Sequence, residues 1–309
     1  PMTKEKIIIG TRGSELARTQ TGMVAEMVAG IAGVPVETVI IKTEGDRIQD
    51  VPLHMVEGKG FFTKELEEAL LEGRIDLAVH SLKDLPTESP KGLTIAAIPP
   101  REKANDLLLV RNDMVREGSP WLLPPSPVVG TSSKRRALQI KAIKPDAVIK
   151  ELRGNVPTRI SKLTAEQYDA IVIAAAGYRR LGIQPHGYRA LVLDLEDMLP
   201  APGQGALALQ TREDDRELVE LLAQLHDAGT AAEVDAERRA LELLGGGCGM
   251  PLGIRAQHRD GALHIRAVLG PDAWQLHDAP AFVHAEATGD TPAEAAARVI
   301  QALTTAQKH

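Results

Sequence analysis

The sequence predicts an α/β protein with two α/β domains followed by a smaller α+β domain. Three observations lead to this fold class. Short apolar runs alternate with amphipathic helical patterns over the first hundred residues, the same alternation returns after residue 105, and beyond residue 230 a helix is followed by strands of antiparallel type. Alternating strands and helices favour mostly parallel sheets covered by helices, and 309 residues are enough for two or three domains.

The first α/β pattern contains three strands and two helices. Thr63 is expected to cap the second helix, and Gly73 is expected to end it. In chain order, the predicted elements are a strand at Ile7–Ile9, a helix from about Glu15 to Ala29, a strand at Val36–Ile41, a helix at Thr63–Glu72 and a strand at Ile75–His80.

The second pattern repeats this alternation, and the third differs from it. Ser132 and Ser133 are expected to cap a helix that runs to about Lys144, and Pro157 is typical of the first turn of another helix. Strands are predicted at 106–110, 128–129 and 170–174. The last region is predicted to hold a helix at 231–244, strands at 263–269 and 282–287, and a closing helix at 293–304, with candidate hinges at 99–100 and 199–203.

Composition argues against several classes of protein. The net charge of −6 argues against a general nucleic-acid binder, and no apolar run approaches the roughly 18 residues that a membrane span needs. The start of the chain lacks the apolar core of a signal peptide, so a cytoplasmic protein is expected. The single cysteine allows no intrachain disulfide, and the histidines lack metal-ligand spacing, so no metal is expected.

Cations collect at three predicted turns of the second α/β region. Helix N-termini already attract anions, and arginine pairs with carboxylates bidentately. The set therefore favours a pocket for a ligand with several negative groups, although any one member could equally be a solvated surface residue with an internal salt bridge. The members are Lys134, Arg135 and Arg136; Arg153 and Arg159, which flank Gly154-Asn155; and Arg179 and Arg180.

Asp84 lies in the segment His80–Pro86, directly after the third predicted strand. Ligands of α/β sheets bind beyond the carboxyl ends of strands, where a carboxylate can act as a general acid or hold a developing cation. Aspartate is also common before turns, so spacing alone leaves both interpretations open.

Three further segments carry candidate chemistry. A lone cysteine is more often a small buried residue, but Cys248 stands among glycines, which is typical of an exposed, reactive loop, so the residues alone leave both interpretations open. Gly58–Phe62 predicts a loop before a helix, whose phenylalanines are either core or a wall for a flat ring. Gly203–Ala208 matches a dinucleotide-binding pattern, but it follows prolines where the true motif follows a strand, so we reject that interpretation.

Taken together, motifs between about residue 7 and residue 255 resemble those of the porphobilinogen deaminase family. The segments that carry the resemblance are Gly10-Thr11-Arg12-Gly13-Ser14; Gly58-Lys59-Gly60 with Phe62; Val79-His80-Ser81-Leu82-Lys83-Asp84; Gly130-Thr131-Ser132-Ser133 with Arg135-Arg136; Leu152-Arg153-Gly154-Asn155 with Thr158-Arg159; Ala176-Gly177 with Arg180-Leu181-Gly182; Gly203-Gln204-Gly205; and Gly246-Gly247-Cys248 with Pro251.

The resemblance implies two α/β domains similar to the lobes of a type 2 periplasmic binding protein, with a cleft between them, and a third, α+β domain that presents the cysteine loop. The implied domains are residues 1–99 with about 203–222, residues 105–198 and residues 223–309. In this family a dipyrromethane cofactor is joined by a thioether to the cysteine that matches Cys248. Four porphobilinogen molecules are added in turn with loss of ammonia, and water releases hydroxymethylbilane, an intermediate of tetrapyrrole biosynthesis.

The resemblance also implies roles for single residues, and a monomer without nucleic-acid or membrane partners. Asp84 matches the catalytic carboxylate, which would bond pyrrole N–H groups, stabilise cations and assist proton transfer. Positions that would bind the cofactor are Cys248, Ser81, Lys83, Asp84, Thr131, Ser132, Ser133, Arg135, Arg136, Arg153 and Gly154. Positions that would bind the substrate are Arg12, Ser14, Gln20, Lys59, Phe62, Arg153, Arg159, Arg180 and Gln204.

Two departures and two rival functions accompany this resemblance. Met55 stands where the family usually has a lysine, and Lys134 stands where relatives usually have an apolar residue. A two-lobed binding protein for a small polyanionic ligand would explain the lobes and arginines, but not the glycine-flanked cysteine. A thiol enzyme would use Cys248 as a transient nucleophile and would carry no permanent adduct.

Overall fold

The computed structural model describes residues 3–42, 63–246, 249–271 and 282–307. The chain divides into two compact units, which we call unit 1 (residues 1–102 and 206–231) and unit 2 (residues 103–205 and 232–309). The chain therefore passes from one unit to the other three times. The three domain ranges implied by the resemblance stay a prediction.

Strands and helices alternate through most of the described residues. In chain order they are β1 Ile7–Thr11, α1 Glu15–Ala32, β2 Val36–Ile40, α2 Lys64–Leu71, β3 Leu77–Ser81, β4 Leu93–Ala97, β5 Asp106–Arg111, β6 Val128–Gly130, α3 Lys134–Ile143, β7 Val148–Lys150, α4 Val156–Thr164, β8 Ala170–Ala174, α5 Ala175–Arg180, β9 Tyr188–Val192, β10 Leu207–Arg212, α6 Arg216–Leu222, α7 Ala228–Leu243, β11 Leu252–Arg259, β12 Ala262–Leu269, β13 Val283–Gly289 and α8 Pro292–Ala306.

Each unit contains a five-stranded mixed sheet. In unit 1 the order is β2-β1-β3-β10-β4, and in unit 2 it is β7-β6-β8-β5-β9. In both sheets the first three strands are parallel, and the fourth strand runs antiparallel to both of its neighbours. The helices that follow the parallel strands cover the sheets and complete their cores with aliphatic side chains such as Val24, Val28, Ala137 and Ile140.

The third sheet belongs to unit 2 and is antiparallel in the order β11-β12-β13. α8 packs on this sheet through Ala296 and Val299, and α7 contributes Ala236 and Ala240 to the same core. At Gly253 a Cβ would lie 2.8 Å from the carbonyl oxygen of Leu199, so only glycine allows β11 this close approach. The sheet is thereby fixed to the segment that leads towards β10.

The predicted fold class is confirmed, and every predicted strand and helix occurs with its bounds shifted by a few residues at most. The sequence prediction missed the strands β4, β7, β9, β10 and β11 and the short helices α5 and α6. Thr63 precedes α2 as predicted, but its hydroxyl donates to the Glu67 carboxylate at 3.4 Å and does not cap the helix. Among the described residues no helix has the length and apolar character to cross a membrane, and no cluster of metal-ligating side chains occurs.

Candidate active site

Asp84 follows β3 in a single turn of 3-10 helix, Leu82–Asp84. Leu82 is completely buried, and its backbone N–H donates to the Ala206 carbonyl at 3.0 Å, which anchors the turn. The Asp84 side chain is exposed and makes no hydrogen bond or ion pair to another described residue. The carboxylate at this strand end is therefore available to a ligand.

The other candidate residues of unit 1 lie at the same edge of its sheet, because β1 and β3 are adjacent and parallel. Gln20 is buried on α1 and donates from Nε2 to the Ser81 hydroxyl at 3.1 Å, which fixes the end of β3. The Ser14 hydroxyl accepts the Ala17 N–H at 3.3 Å and caps α1. Arg12, in the loop before this cap, and Lys83 are half-buried.

Beneath this edge lies a buried polar cluster, the His80 centre, formed by His80, Gln210 and Glu67. The Gln210 amide nitrogen donates to Glu67 Oε1 at 3.1 Å, so its oxygen accepts, at 2.8 Å, the proton on His80 Nε2. Burial, together with the charge of Arg12, lowers the pKa of His80 to about 4, although the Gln210 contact opposes this shift. Burial also raises the pKa of the Glu67 carboxyl. His80 is therefore neutral in the folded protein near pH 7.

In unit 2, three hydroxyl groups build the loop between β6 and α3. Thr131 Oγ1 accepts the Ser133 N–H at 3.1 Å, and Ser133 Oγ accepts the Arg136 N–H at 3.3 Å as the cap of α3. Ser132 Oγ donates to the Leu152 carbonyl at 2.8 Å and accepts the Leu152 N–H at 3.1 Å. These contacts hold the start of α3 against the segment that carries Arg153.

Arg135 and Arg136 are buried in the first turn of α3, where they converge on the fully buried carboxylate of Asp106. The shortest contacts are 2.6 Å from Arg135 Nη1 and 2.8 Å from Arg136 Nη2. Burial alone would raise the pKa of Asp106, but the two guanidinium charges outweigh it and hold that pKa well below its ordinary value. These two arginines are therefore not solvated surface residues. We call Asp106, Arg135, Arg136 and Gln204 the Asp106 centre.

Arg153, Arg159 and Arg180 are half-buried. Arg153 pairs with the exposed Glu151 at 2.5 Å, Arg159 Nε donates to the Gly154 carbonyl at 2.7 Å, and Arg180 Nη2 donates to the Gly205 carbonyl at 2.7 Å. Gly154 has φ +111°, and a Cβ there would lie 2.7 Å from Thr158 Cγ2, so this turn requires glycine.

Other sequence predictions at the site divide into three groups. Lys134 is exposed beside its buried neighbours. Gly203 and Gly205 have φ of +73° and +87° and lead into strand β10, whereas a dinucleotide motif leads into a helix, so the rejection of that motif is confirmed. Lys59, Phe62 and Cys248, together with Met55, lie outside the described residues.

Sequence reasoning missed two carboxylates that are completely buried among the described residues. Asp106 opens the apolar run of β5, and an acid at the start of such a run was the available signal. Glu237 on α7 is completely buried and accepts the backbone N–H groups of Gly203 at 2.8 Å and Ala256 at 3.0 Å. It ties the helix that precedes the cysteine loop both to the Gln204 segment and to β11.

Known proteins resemble the chain in sequence over most of its length. Residues 7–220 match the family model described as porphobilinogen deaminase, dipyromethane cofactor binding domain. Porphobilinogen deaminase of Syntrophobacter fumaroxidans is 48% identical over 87% of this chain and 85% of its own length. Porphobilinogen deaminase of Oceanobacillus iheyensis is 47% identical over 86% of this chain and 85% of its own length.

Solved structures show a weaker likeness. The VFT2 domain of Bordetella pertussis BvgS is 18% identical, with 71% of this chain and 85% of that chain covered at a TM-score of 0.42. An ancestral arginine-binding protein bound to glutamine is 16% identical, with 72% and 91% covered at a TM-score of 0.39. These likenesses bear on neither ligand nor activity.

The chain has two α/β units, each with a five-stranded mixed sheet, and the sequence matches assign its family. The chain belongs to the porphobilinogen deaminase family. This membership confirms the tetrapyrrole-forming function and the dipyrromethane cofactor that the sequence predicted. The roles of individual residues stay predictions.

Proposed function

We propose that this chain is a transferase that joins four porphobilinogen molecules head to tail, with loss of ammonia, on a dipyrromethane cofactor held by Cys248, and then releases hydroxymethylbilane by hydrolysis. We further propose that it works as a cytoplasmic monomer. The observation that carries the proposal is the exposed carboxylate of Asp84, which no described residue engages. The family match supplies the reaction in which such a carboxylate is needed.

The donor groups of unit 2 fit a cofactor made of acidic pyrroles. Each pyrrole unit carries an acetate and a propionate group. Guanidinium groups bind carboxylates well, and Arg135 and Arg136 lie in the first turn of α3, whereas Arg180 lies in the last turn of α5 and not at the predicted helix start. When bound, dipyrromethane supplies the pyrrole carbon to which the first unit is joined. Arg135, Arg136, Arg153 and Lys83 would hold its carboxylates, whereas Arg12, Arg159 and Arg180 would bind those of the incoming substrate.

Asp84 would act on the charge that develops during each addition. Loss of ammonia from porphobilinogen leaves a cation on the substrate, and an ionised carboxylate nearby stabilises that charge. The same carboxylate can accept pyrrole N–H groups, which orients the ring, and can assist removal of the proton that completes each addition. An exposed position next to a buried strand suits this role because the anchored turn holds the carboxylate in place.

The first experiment is intact-mass analysis of the purified protein with peptide mapping. A mass excess of two linked pyrrole units on Cys248, absent from a Cys248→Ser variant, supports the proposal. If the thiol is unmodified, incubation with porphobilinogen and with preformed hydroxymethylbilane shows whether it can be loaded. A wild-type protein that neither reagent loads would refute the proposal and favour a binding protein for a polyanionic ligand.

The role of Asp84 is tested separately with Asp84→Asn. We expect a normally folded protein whose turnover of porphobilinogen falls by about 10²-fold or more, because the substitution removes the charge that the transition state needs. Asp113→Asn is a matched control, since Asp113 is also exposed in a 3-10 turn directly after a strand. Equal losses in the two variants would argue against a catalytic role for Asp84.

A further inference from the structure

Asp106 is the first residue of β5, and its side chain has no solvent exposure. The rest of this strand is apolar, with Leu108 and Leu109 completely buried. A carboxylate in such surroundings is costly unless cations and hydrogen-bond donors compensate for its lost hydration. The position therefore requires partners, and the structure provides them from two other segments of unit 2.

The contacts of Asp106 join three side chains that the family resemblance places at the ligand site. Its Oδ2 accepts Arg135 Nη1 at 2.6 Å, and its Oδ1 accepts Arg136 Nε at 3.0 Å and Arg136 Nη2 at 2.8 Å. The same Oδ1 accepts Gln204 Nε2 at 3.0 Å. One carboxylate thus fixes the planes of both guanidinium groups and the orientation of the amide.

The cluster carries more positive charge than Asp106 neutralises. Two guanidinium groups face one carboxylate, and no other described acid forms an ion pair with either arginine. The remaining acceptors are backbone carbonyls, those of Leu199 for Arg135 and Val172 for Arg136. A structural ion pair needs only one cation. A buried excess cation is unfavourable until an anion joins it, so the arrangement favours binding of a further negative group.

We propose that Asp106 is a positioning residue, which holds Arg135, Arg136 and Gln204 in the arrangement that receives the carboxylates of the cofactor. This inference rests on the proposed function. Asp106 acts through the arginines and does not touch the ligand itself. Because the side chains are ordered before the ligand arrives, binding does not have to order them, and the site binds faster and more tightly than one with mobile arginines.

The test compares loading of Cys248 in full-length Asp106→Asn, Asp106→Glu and wild-type protein. Each is produced in cells that make no porphobilinogen, so that Cys248 starts unmodified, and is then incubated with preformed hydroxymethylbilane. Intact mass gives the rate and final fraction of the adduct, and far-UV circular dichroism, which senses both units, gives the folded fraction at the same temperature. We expect Asp106→Asn to load roughly tenfold more slowly or worse, corrected for the folded fraction. Asp106→Glu keeps the charge and should recover part of this rate.

Asp76→Asn is the matched control. Asp76 is also a buried aspartate with two cationic partners, Lys4 at 2.7 Å and Arg212 at 3.0 Å, but it precedes β3 at the end opposite Ser81. We expect this variant to lose stability and to load normally.

If folded Asp106→Asn loads at the wild-type rate, or if Asp76→Asn is slowed to the same extent, the inference is overturned but the proposed function is not. If Asp106→Asn does not fold, a wild-type rate in Asp106→Glu overturns it. Failure of both variants to fold would make Asp106 a purely structural residue, which also overturns it. A wild-type protein that takes no adduct would instead refute the proposed function, and the inference with it.

Discussion

The five-stranded sheets of the two units have the same strand arrangement but differ in the polar group buried at their centre. β10 in unit 1 and β5 in unit 2 occupy the same place, each as the antiparallel strand beside three parallel ones. β10 carries Gln210, an uncharged amide that joins His80 to Glu67. β5 carries Asp106, a charged group that joins two arginines to Gln204.

The two centres match the two kinds of charged group that the proposed function requires, a carboxylate for cations and guanidinium groups for carboxylates. In unit 1, the His80 centre supports a strand end whose carboxylate, Asp84, is exposed. In unit 2, the Asp106 centre holds cations under a loop made of hydroxyl groups. Under the proposed function, one sheet architecture would support the negative group that stabilises developing cations in unit 1 and the positive groups that bind carboxylates in unit 2. The buried residue on the antiparallel strand differs accordingly, an uncharged amide in unit 1 and a carboxylate in unit 2.

The largest expected effect is the loss of unfolding free energy when Asp106 or Gln210, the residue that joins the others in each centre, is replaced by an apolar residue. Asp106→Ala leaves two buried guanidinium groups without a counter-charge, which should cost about 3–5 kcal/mol of unfolding free energy. Gln210→Leu leaves a buried histidine N–H and the Glu67 carboxylate short of a partner, which should cost about 1–3 kcal/mol. Hydrogen exchange of β5 and β8 peptides reports the stability of unit 2, and hydrogen exchange of β3 and β10 peptides reports that of unit 1. A larger loss for Gln210→Leu would contradict the distinction between the centres.

The next effect is a pH dependence of the stability of unit 1. His80 has a folded pKa of about 4, below its ordinary value of about 6.5, so between these values the unfolded chain binds a proton that the folded protein does not. The unfolding free energy of unit 1 should therefore fall by up to about 3 kcal/mol as the pH drops from 6.5 to 4, and should not depend on His80 above 6.5. Asp106, with its lowered pKa, stays ionised throughout this window.

His80→Gln isolates this term, because its amide can still donate to Gln210 but cannot titrate. Hydrogen exchange of unit 1 peptides across the window, corrected for the intrinsic pH dependence of exchange, should show a shallower loss in the variant. Parallel curves for the variant and the wild-type protein would show that His80 does not contribute.

The smallest expected effect is the loss of unfolding free energy when a glycine in either of two equivalent strands, β1 and β6, is replaced by alanine. A Cβ on Gly130 of β6 would lie 2.8 Å from Tyr168 Cδ1, a ring fixed by its hydrogen bond to the Glu151 carbonyl. A Cβ on Gly10 of β1 would lie 2.5 Å from Ile75 Cδ1, the end of a flexible side chain. Gly130→Ala should cost about 1–3 kcal/mol of unfolding free energy and Gly10→Ala less, because only the isoleucine can move aside. The probes above measure both, and a greater loss at Gly10 would contradict this ranking.

Local patterns were sufficient to predict most of the parallel strands and the helices after them. Neighbouring residues are enough to predict the apolar run Ile7–Ile9, the cap at Ser133 and the helix end at Gly73. The prediction missed β10, Leu207–Arg212, because it alternates weakly and its place depends on β3 and β4, more than a hundred residues earlier in the chain.

The residues of the candidate site also differ in whether neighbouring residues or distant ones reveal them. Asp84 and the arginines stand in recognisable segments, so the sequence was enough to propose them. Asp106 lies 29 residues from Arg135 and 98 from Gln204, and only the folded sheet brings these groups together. An acid at the start of an apolar run is a local sign that Asp106 is unusual, but no local pattern shows which groups it joins.

The position of β10 also sets an order of events on the ribosome. All strands of the five-stranded sheet of unit 2 have been synthesised by residue 192, whereas β3 and β4 of unit 1 wait for residues 207–212, the strand that pairs with both of them. Until then the nascent chain exposes two unpaired strand edges, which are surfaces that aggregate or recruit chaperones. The five-stranded sheet of unit 1 is therefore the first of the two to be started and the second to be completed, because residues 103–205 of unit 2 are translated between β4 and β10.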